Sequence, residues 1–171
     1  MNIVDKILVD PITRGLKFFT KGGVSAYITQ VRGRTDGSAV PAGYVGEVIS
    51  SVQGLAASSA ATSVYFDAVS VTLTPGNWML NYVLYNTALG ATVGGVGGGI
   101  SINSGTSSVG LAVGDNSVWQ AGATAAFDSS ISIPGYVVRP TSTTTYYGKA
   151  LFYFSAGSPS YAARLTAVRI A

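Results

Sequence analysis

VSVTLTPGNWMLNYVLY, residues 69–85, is the stretch that decides the fold. Its first part alternates apolar and polar residues, the pattern of a strand with one buried face. TPGN at 74–77 predicts a tight turn, because proline fixes φ and glycine allows positive φ. From residue 78 onward apolar side chains occupy both faces, so we expect this second strand to be central and buried on both sides. The stretch therefore predicts two strands joined by a hairpin-like reversal.

Short alternating segments continue along the rest of the chain, with little that indicates helix. The candidate strands are 46–51, 62–66 leading into 69–73, 78–85, 100–102, 109–113, 131–133, 143–147, 151–154 and 163–170. We interpret the glycine run ATVGGVGGGI, residues 91–100, as a flexible loop. The alternative is that glycine allows close approach of backbones there, for instance near a symmetry axis. About eight or nine short strands predict an all-β fold, an antiparallel β-sandwich of jelly-roll type.

The composition excludes several kinds of chemistry. The chain has no Cys and no His, which excludes disulfides, thiolate or imidazole metal sites and histidine-based nucleophile activation. Only 10% of its 171 residues are charged, against roughly 25% in soluble domains. Two explanations are compatible: a surface made polar by Ser, Thr, Asn and Gln, or a surface partly covered in an oligomer.

The net charge lies in the N-terminal part. Residues 1–40 hold six basic and three acidic side chains, and the remaining residues hold four of each. The segment 32–43, RGRTDGSAVPAG, has the composition of a linker. We therefore expect an attachment segment at 1–40, facing an acidic protein surface, and a β-domain at 44–171. The basic residues form no cluster, so nucleic-acid binding is not expected, and neither a signal peptide nor a membrane-spanning helix is predicted.

Four segments resemble a known family in their order along the chain. They are GYVGEVISS (43–51), VTLTPGNWML (71–80), TSTTTYYGKALFYFSAG (141–157) and YAARLTAVRI (161–170). This ordered set is similar to the trimeric C-terminal head domain of tailed-bacteriophage fibre proteins. The resemblance covers roughly 44–171 and implies a β-sandwich protomer that assembles as a homotrimer at the exposed end of a virion fibre.

The sequence also departs from the family pattern. Asn77 and Met79 flank Trp78 where the family often has an aspartate or arginine, and Arg164 and Arg169 are separated where the family often has paired arginines. These departures weaken the transfer of receptor contacts. We expect Trp78 to be a core residue. We expect Glu47 to pair with Arg164 or Arg169 near the base of the trimer, so that these residues form its framework.

Exposed aromatic side chains are the usual means of gripping sugars and protein loops. The candidate receptor-binding residues are Trp119 in the expected loop DNSVWQAG (115–122), Tyr136 after Pro-Gly, and Phe127. For each of them, packing in the core is the alternative. Trp119 is the strongest candidate, because polar residues surround it in the sequence.

We therefore expect a bacteriophage virion fibre protein on the particle surface that binds the host cell, needs no metal or cofactor and is not an enzyme. One alternative is a purely structural virion protein, such as a head fibre or a neck or capsid decoration. A minor alternative is a polysaccharide depolymerase whose carboxylate pair would come from Glu47, Asp67, Asp115 and Asp128, which show no spacing signature.

Overall fold

The computed structural model describes residues 6–9, 16–20, 23–28, 38–57, 61–88, 90–122 and 128–171. The chain divides into two compact units, Met1–Ser38 and Ala39–Ala171. In the first unit, three short strands pair antiparallel in chain order: β1 (Lys6–Val9), β2 (Leu16–Thr20) and β3 (Gly23–Ile28). Attachment of the protein through this unit stays a prediction.

The second unit consists of eight strands. They are β4 (Val48–Ala57), β5 (Phe66–Leu73), β6 (Trp78–Thr87), β7 (Thr92–Ser101), β8 (Ser117–Ala121), β9 (Ser129–Val138), β10 (Thr144–Ala156) and β11 (Ser160–Arg169). They form two four-stranded sheets, of order β5-β10-β7-β8 and β4-β11-β6-β9. We call these the β7 sheet and the β6 sheet.

The strand pairing is nested. β4 pairs with β11, β5 with β10, β6 with β9 and β7 with β8, always antiparallel. The eight strands therefore run as one long folded hairpin whose pairs alternate between two sheets, which is the jelly-roll arrangement. The prediction of an all-β antiparallel sandwich of jelly-roll type is confirmed.

The core lies between the two sheets. It is built from the inward-facing residues of each strand, because successive side chains of a strand point to opposite faces. Its largest fully buried apolar and aromatic side chains are Trp78, Tyr82, Phe152, Leu73, Leu80, Leu84, Ile100, Leu165, Val93 and Val96. These ten come from β5, β6, β7, β10 and β11, so both sheets contribute.

The prediction that the strand after the TPGN turn is buried on both sides is wrong. β6 is central in its sheet, and its Trp78, Leu80, Tyr82 and Leu84 face the core. On the other face, however, Val83 and Tyr85 are 43% and 41% exposed. The reason is that the described strands of Ala39–Ala171 form two layers only, so no described strand of this unit covers the outer face of the β6 sheet.

The interpretation of residues 91–100 as a flexible loop is also wrong, because most of this run forms β7, an inner strand of its sheet. Its glycines allow close packing on both faces. A Cβ on Gly98 would lie 2.6 Å from Ile131 Cδ1 inside the core. A Cβ on Gly99 would lie 2.5 Å from Leu111 Cδ2 on the outer face. The glycines therefore make room for side chains, whereas close approach of backbones near a symmetry axis, the alternative explanation, stays a prediction.

Three further predictions differ from the structure. Residues 62–65, expected to form a strand, are a turn and an irregular segment before β5 begins at Phe66, and the positive φ of Ser63 (63°) interrupts the extended backbone there. Residues 109–113 form no strand but belong to the 102–116 loop, where Val113 makes one isolated bridge to Ser117. Residues 117–121, expected in a loop, form the edge strand β8 instead. Short polar edge strands carry little periodicity, which explains why the pattern missed this one.

Candidate functional site

Trp119 lies on the outer face of the β7 sheet. It is opposite Gly97 of β7, which in turn is opposite Leu151 of β10. A Cβ on Gly97 would lie 2.8 Å from Trp119 Cε3, and one on Gly95 would lie 2.6 Å from Trp119 Cζ2. The six-membered ring of the indole therefore lies directly against the β7 backbone, in space that only glycine leaves free.

Tyr153 of β10 completes this surface. It is opposite Gly95, and its ring makes an edge contact with Trp119 at 6.0 Å between centroids and 83° between planes. Trp119 is 43% exposed and Tyr153 is 54% exposed. We call Trp119 and Tyr153, with the Gly95 and Gly97 backbone beneath them, the aromatic shelf.

The polar neighbours of Trp119 in the sequence do not form part of this shelf. Asn116 and Ser117 are buried. The Asn116 amide donates to the carbonyl oxygens of Ile100 (3.0 Å) and Gly110 (2.7 Å). The sequence analysis missed Tyr153, because this residue lies far along the chain and only the sheet register brings it beside Trp119.

Tyr136, the second candidate, lines a cleft of about 430 Å³ in the same unit. We call this the end cleft; its walls include Ile100, Asn116, Tyr136, Val138, Arg139 and Tyr146. Burial raises the pKa of Tyr146, and the nearby Tyr136 raises it further. Tyr146, on β10, supplies a second aromatic wall of this cleft.

Phe127, the third candidate, lies outside the described residues. Its role as a receptor contact stays a prediction.

Glu47 and Arg169 form a buried ion pair, with Arg169 Nε donating to Glu47 Oε2 at 3.0 Å. The same carboxylate oxygen accepts a hydrogen bond of 2.7 Å from the backbone amide of Gly43. Arg169 also donates through Nη1 to the Pro75 carbonyl at 2.8 Å. This pair therefore ties the entry to β4, the β5–β6 turn and the last strand together.

Trp78 belongs to the same cluster. It is fully buried, its Nε1 donates to the Thr74 carbonyl at 3.0 Å, and the Arg169 guanidinium lies 4.2 Å above its ring. Arg164, by contrast, is exposed on the outer face of the β6 sheet, opposite Val52 and Val83. Of the two arginines considered for Glu47, the structure pairs Glu47 with Arg169.

A second ion pair, between the buried Lys149 and the partly exposed Asp67, holds the 102–116 loop, and sequence analysis did not predict it. Lys149 is fully buried and donates to Asp67 and to the Gly105 carbonyl, the latter at 2.8 Å. The other Asp67 oxygen accepts from the Gly105 amide at 2.7 Å. These bonds hold the loop over one end of the outer face of the β7 sheet, beside the aromatic shelf.

Most of the carboxylates considered for catalysis have structural partners. Glu47 and Asp67 are in the two ion pairs, and Asp128 accepts a 2.9 Å hydrogen bond from the Ala88 amide. Among the described residues, Asp and Glu side chains nowhere gather in a group of three or more that could hold a metal ion. The described part of the chain also contains no helix with the length and apolarity to cross a membrane.

No family description matches this chain, and no curated protein matches it. One similar solved structure concerns the promiscuous specificity of carbohydrate-binding modules from the β-sandwich superfamily, at 11% identity and a TM-score of 0.25. That match covers 86% of this chain and 70% of the other. Another is a structure of infectious bursal disease virus, Gx strain, at 14% identity and a TM-score of 0.30. It covers 95% of this chain but only 49% of the viral chain. At these identities and scores, neither structure bears on the function of this one.

Proposed function

We propose that this protein is a bacteriophage virion fibre protein, displayed on the particle as a homotrimer, that binds the host-cell surface through its jelly-roll sandwich. The observation that carries this proposal is the aromatic shelf. Two large aromatic side chains are exposed side by side, and the two β7 positions beneath Trp119, Gly95 and Gly97, are glycines that leave room for its ring.

The shelf has the chemistry to bind sugars or protein loops. An aromatic ring offers a large apolar area with few rotatable bonds, so it loses little conformational entropy when it binds. The edge contact with Tyr153 and the glycine backbone fix the orientation of the Trp119 ring before a ligand arrives. Preorganisation of this kind improves affinity by reducing the cost of ordering.

Display in several copies compensates for a weak single site. When three copies on one particle bind the same surface, the later contacts form at high effective concentration and the avidity rises steeply. The sandwich therefore needs only modest affinity at each shelf. Three of the four carboxylates of residues 41–171 are engaged in structural bonds, which favours a binding role over a catalytic one.

The outer face of the β6 sheet is the surface we propose for trimerisation. One row of opposed residues across it is Val48, Val168, Met79 and Val137. The parallel row through Val83 has Arg164 as its only charged member. Interface cores are depleted in charge, and symmetric oligomers bury the same patch of every copy. We therefore propose that this weakly charged, half-apolar sheet face binds further copies of the same chain.

Light scattering tests the trimer. We expect a mass near three times the 17.4 kDa of one chain. Val83→Glu, which puts a charge in the centre of the face, should give monomer, and Val109→Glu, at an exposed position on the 102–116 loop, should leave the trimer intact. A wild-type monomer would contradict this part of the proposal.

Adsorption to bacterial cells tests host binding. Fluorescently labelled wild-type protein should bind at least one strain of a panel, and Trp119→Ala should weaken that binding by about 30-fold or more, the equivalent of a 2 kcal/mol binding hot spot. Tyr44→Ala is the matched control, because Tyr44 is 66% exposed and is not part of the shelf. Binding that survives Trp119→Ala unchanged would rule out the shelf as the receptor site.

A purely structural virion protein is the second candidate, and the exposed apolar face of the β6 sheet favours it, since such a face serves assembly without any receptor. If the protein forms trimers that bind neither cells nor surface polysaccharide, the purely structural role is favoured. Release of reducing ends from host capsule would instead favour a depolymerase.

Residues 1–40 form the part that we propose attaches the fibre to the particle, on the ground of their net positive charge. Deletion of these residues should leave a folded trimer that no longer joins particles. A monomeric or insoluble product would place the trimer interface in the N-terminal segment.

A further inference from the structure

We infer that the end cleft is a second binding site, and that it takes an acidic sugar whose carboxylate pairs with Arg139. This inference rests on the proposed function, because it names a class of host-surface ligand. It concerns a different place from the aromatic shelf and different residues, so the two can be tested apart.

The cleft has the size and lining of a small-ligand site. Its volume of about 430 Å³ lies within the range of roughly 300–1,000 Å³ that is usual for such sites. Ile100 and Val138 supply apolar wall, and Tyr136 and Tyr146 supply rings and hydroxyl groups. This mixture suits a ligand that has both C–H faces and hydroxyl groups, as a sugar ring does.

Arg139 supplies an available charge. Of the four basic residues in Ala39–Ala171, Lys149 and Arg169 are engaged in ion pairs, and Arg164 lies on the outer face of the β6 sheet. Arg139 is among the residues that line the cleft, is exposed, and makes no hydrogen bond or ion pair within the described residues. A guanidinium presents a planar fork of donors that matches a carboxylate with two parallel hydrogen bonds.

Another part of the cleft wall is held by several hydrogen bonds. Asn116 uses both its amide hydrogens, on the Ile100 and Gly110 carbonyls, and its Oδ1 accepts from the Ala112 amide at 2.7 Å. These bonds fix the 110–116 segment at the edge of the cleft. Because burial raises the pKa of Tyr146, its hydroxyl stays protonated at neutral pH and can donate to a ligand oxygen.

The charge of the cleft favours a carboxylate over a phosphate. Phosphate sites bring together several donors, as clusters of arginine and lysine or as nests of backbone amides, to meet nearly two negative charges. Arg139 is the one cation among the residues that line this cleft. A uronic acid carries one negative charge on a hydroxylated ring. Its carboxylate matches the one guanidinium of the cleft, and its hydroxyl groups match the two tyrosine side chains.

Nuclear magnetic resonance titration with two matched probes tests the inference. Methyl β-glucuronide and methyl β-glucoside differ only in a carboxylate at C6. We expect the glucuronide to shift the backbone amide signals of Val137, Val138 and Asn116, and to bind about 10-fold or more tightly than the glucoside, which is the usual worth of a charge-assisted pair. Arg139→Gln should remove that preference, while Arg32→Gln, the matched control that removes the same charge from the segment 32–43, should retain it.

Several results would overturn the inference. Equal affinity for the two probes would show that no carboxylate is recognised, and an unchanged preference in Arg139→Gln would place the recognition elsewhere. Sodium acetate or inorganic phosphate binding as tightly as the glucuronide would reduce the cleft to a general anion site. A thermal melt of each variant verifies that it is folded.

The outcomes separate this inference from the proposed function. Loss of acid preference in Arg139→Gln, in a protein whose wild type binds no bacterial cell, would support the cleft and contradict host binding. Cell binding that depends on Trp119 and is identical in Arg139→Gln, with no glucuronide binding, would support the proposed function and overturn the inference.

Discussion

Substitution of Gly148 by alanine tests the packing of the core most sharply. Gly148 lies on β10, facing the interior, where a Cβ would be 2.5 Å from Tyr82 Cε2 and 2.8 Å from Val69 Cγ2. Real Cβ atoms essentially never approach another heavy atom this closely. Because Tyr82 is fully buried in the centre of the sandwich, its ring has no solvent to move into.

The expected loss follows from this overlap. Overpacking a core by one methyl group costs roughly 1–3 kcal/mol. Gly54→Ala on β4 is the matched control, because a Cβ there meets nothing within 4 Å and alanine is favoured over glycine in a strand by roughly 0.5–1 kcal/mol. The two variants should therefore differ by about 2 kcal/mol or more in the free energy of unfolding.

Urea unfolding measures this difference. With an m-value of about 2 kcal/mol/M, the two midpoints should differ by about 1 M. In Gly148→Ala/Tyr82→Leu the ring that causes the overlap is absent, so the double variant should lose less than the sum of the two single losses. If Gly148→Ala unfolds at the wild-type midpoint, Tyr82 does not pack against β10 as described.

Three further predictions concern the buried polar groups. Arg169→Lys should lower the free energy of unfolding by about 2 kcal/mol, because lysine cannot reproduce the forked hydrogen bonds or the contact with the indole ring. The control Arg164→Lys, at an exposed position, should change it by less than about 0.5 kcal/mol. Equal losses for the two variants in chemical denaturation would contradict this prediction. Asp67→Asn leaves the buried Lys149 without its carboxylate and should lower the free energy of unfolding by about 3 kcal/mol. Amide hydrogen exchange in the 102–116 loop should become faster. Unchanged exchange there would show that the ion pair does not hold the loop. The Tyr82 hydroxyl is buried without a hydrogen-bond partner in the described residues, and burial raises its pKa. The wild type should therefore lose stability as the pH rises above about 10, where only the unfolded chain ionises, and Tyr82→Phe should reduce this alkaline loss; identical pH profiles of the two proteins in thermal melts would contradict it.

The strands with regular alternation were predictable from the sequence, and so was the sandwich that they form. Val69, Val71 and Leu73 lie on the inner face of β5 as the pattern indicates, and the TPGN turn joins β5 to β6. The predicted hairpin-like pairing of these two strands is wrong, because the nested pairing puts β5 and β6 in different sheets and the turn crosses between them. The prediction that both faces of β6 are buried was wrong. In the sequence, apolar residues that face an oligomer interface or solvent have the same pattern as apolar residues that face a core.

The β7 strand could not be predicted, since glycine has low strand propensity and no side chain with which to show a period. The signal lies in its partners: Tyr82 and Ile131 on one side and Trp119 on the other take the space that the glycines leave. Which large side chain meets which glycine depends on strand register, and this register is set by pairs far apart in the sequence.

The same limit applies to the two candidate sites. Trp119 and Tyr136 were predicted as binding residues from their local sequence, but Tyr153 and Arg139 were not. Tyr153 joins Trp119 through β7, which separates β8 from β10 in the sheet. Arg139 could be identified as an available cation only from the structure, because the structure shows that the other basic residues of the sandwich are in ion pairs or lie away from the cleft.

Tryptophan fluorescence during titration with bacterial surface polysaccharide tests the central claim most directly. The chain has two tryptophans, of which Trp78 is fully buried and Trp119 is exposed on the shelf, so a change on ligand binding reports Trp119. We predict that polysaccharide from a strain that the protein binds shifts the emission to the blue and protects it from acrylamide quenching, and that Trp119→Phe abolishes both effects. Emission and quenching that stay unchanged at polysaccharide concentrations that block cell binding would contradict the claim that the aromatic shelf grips the host surface.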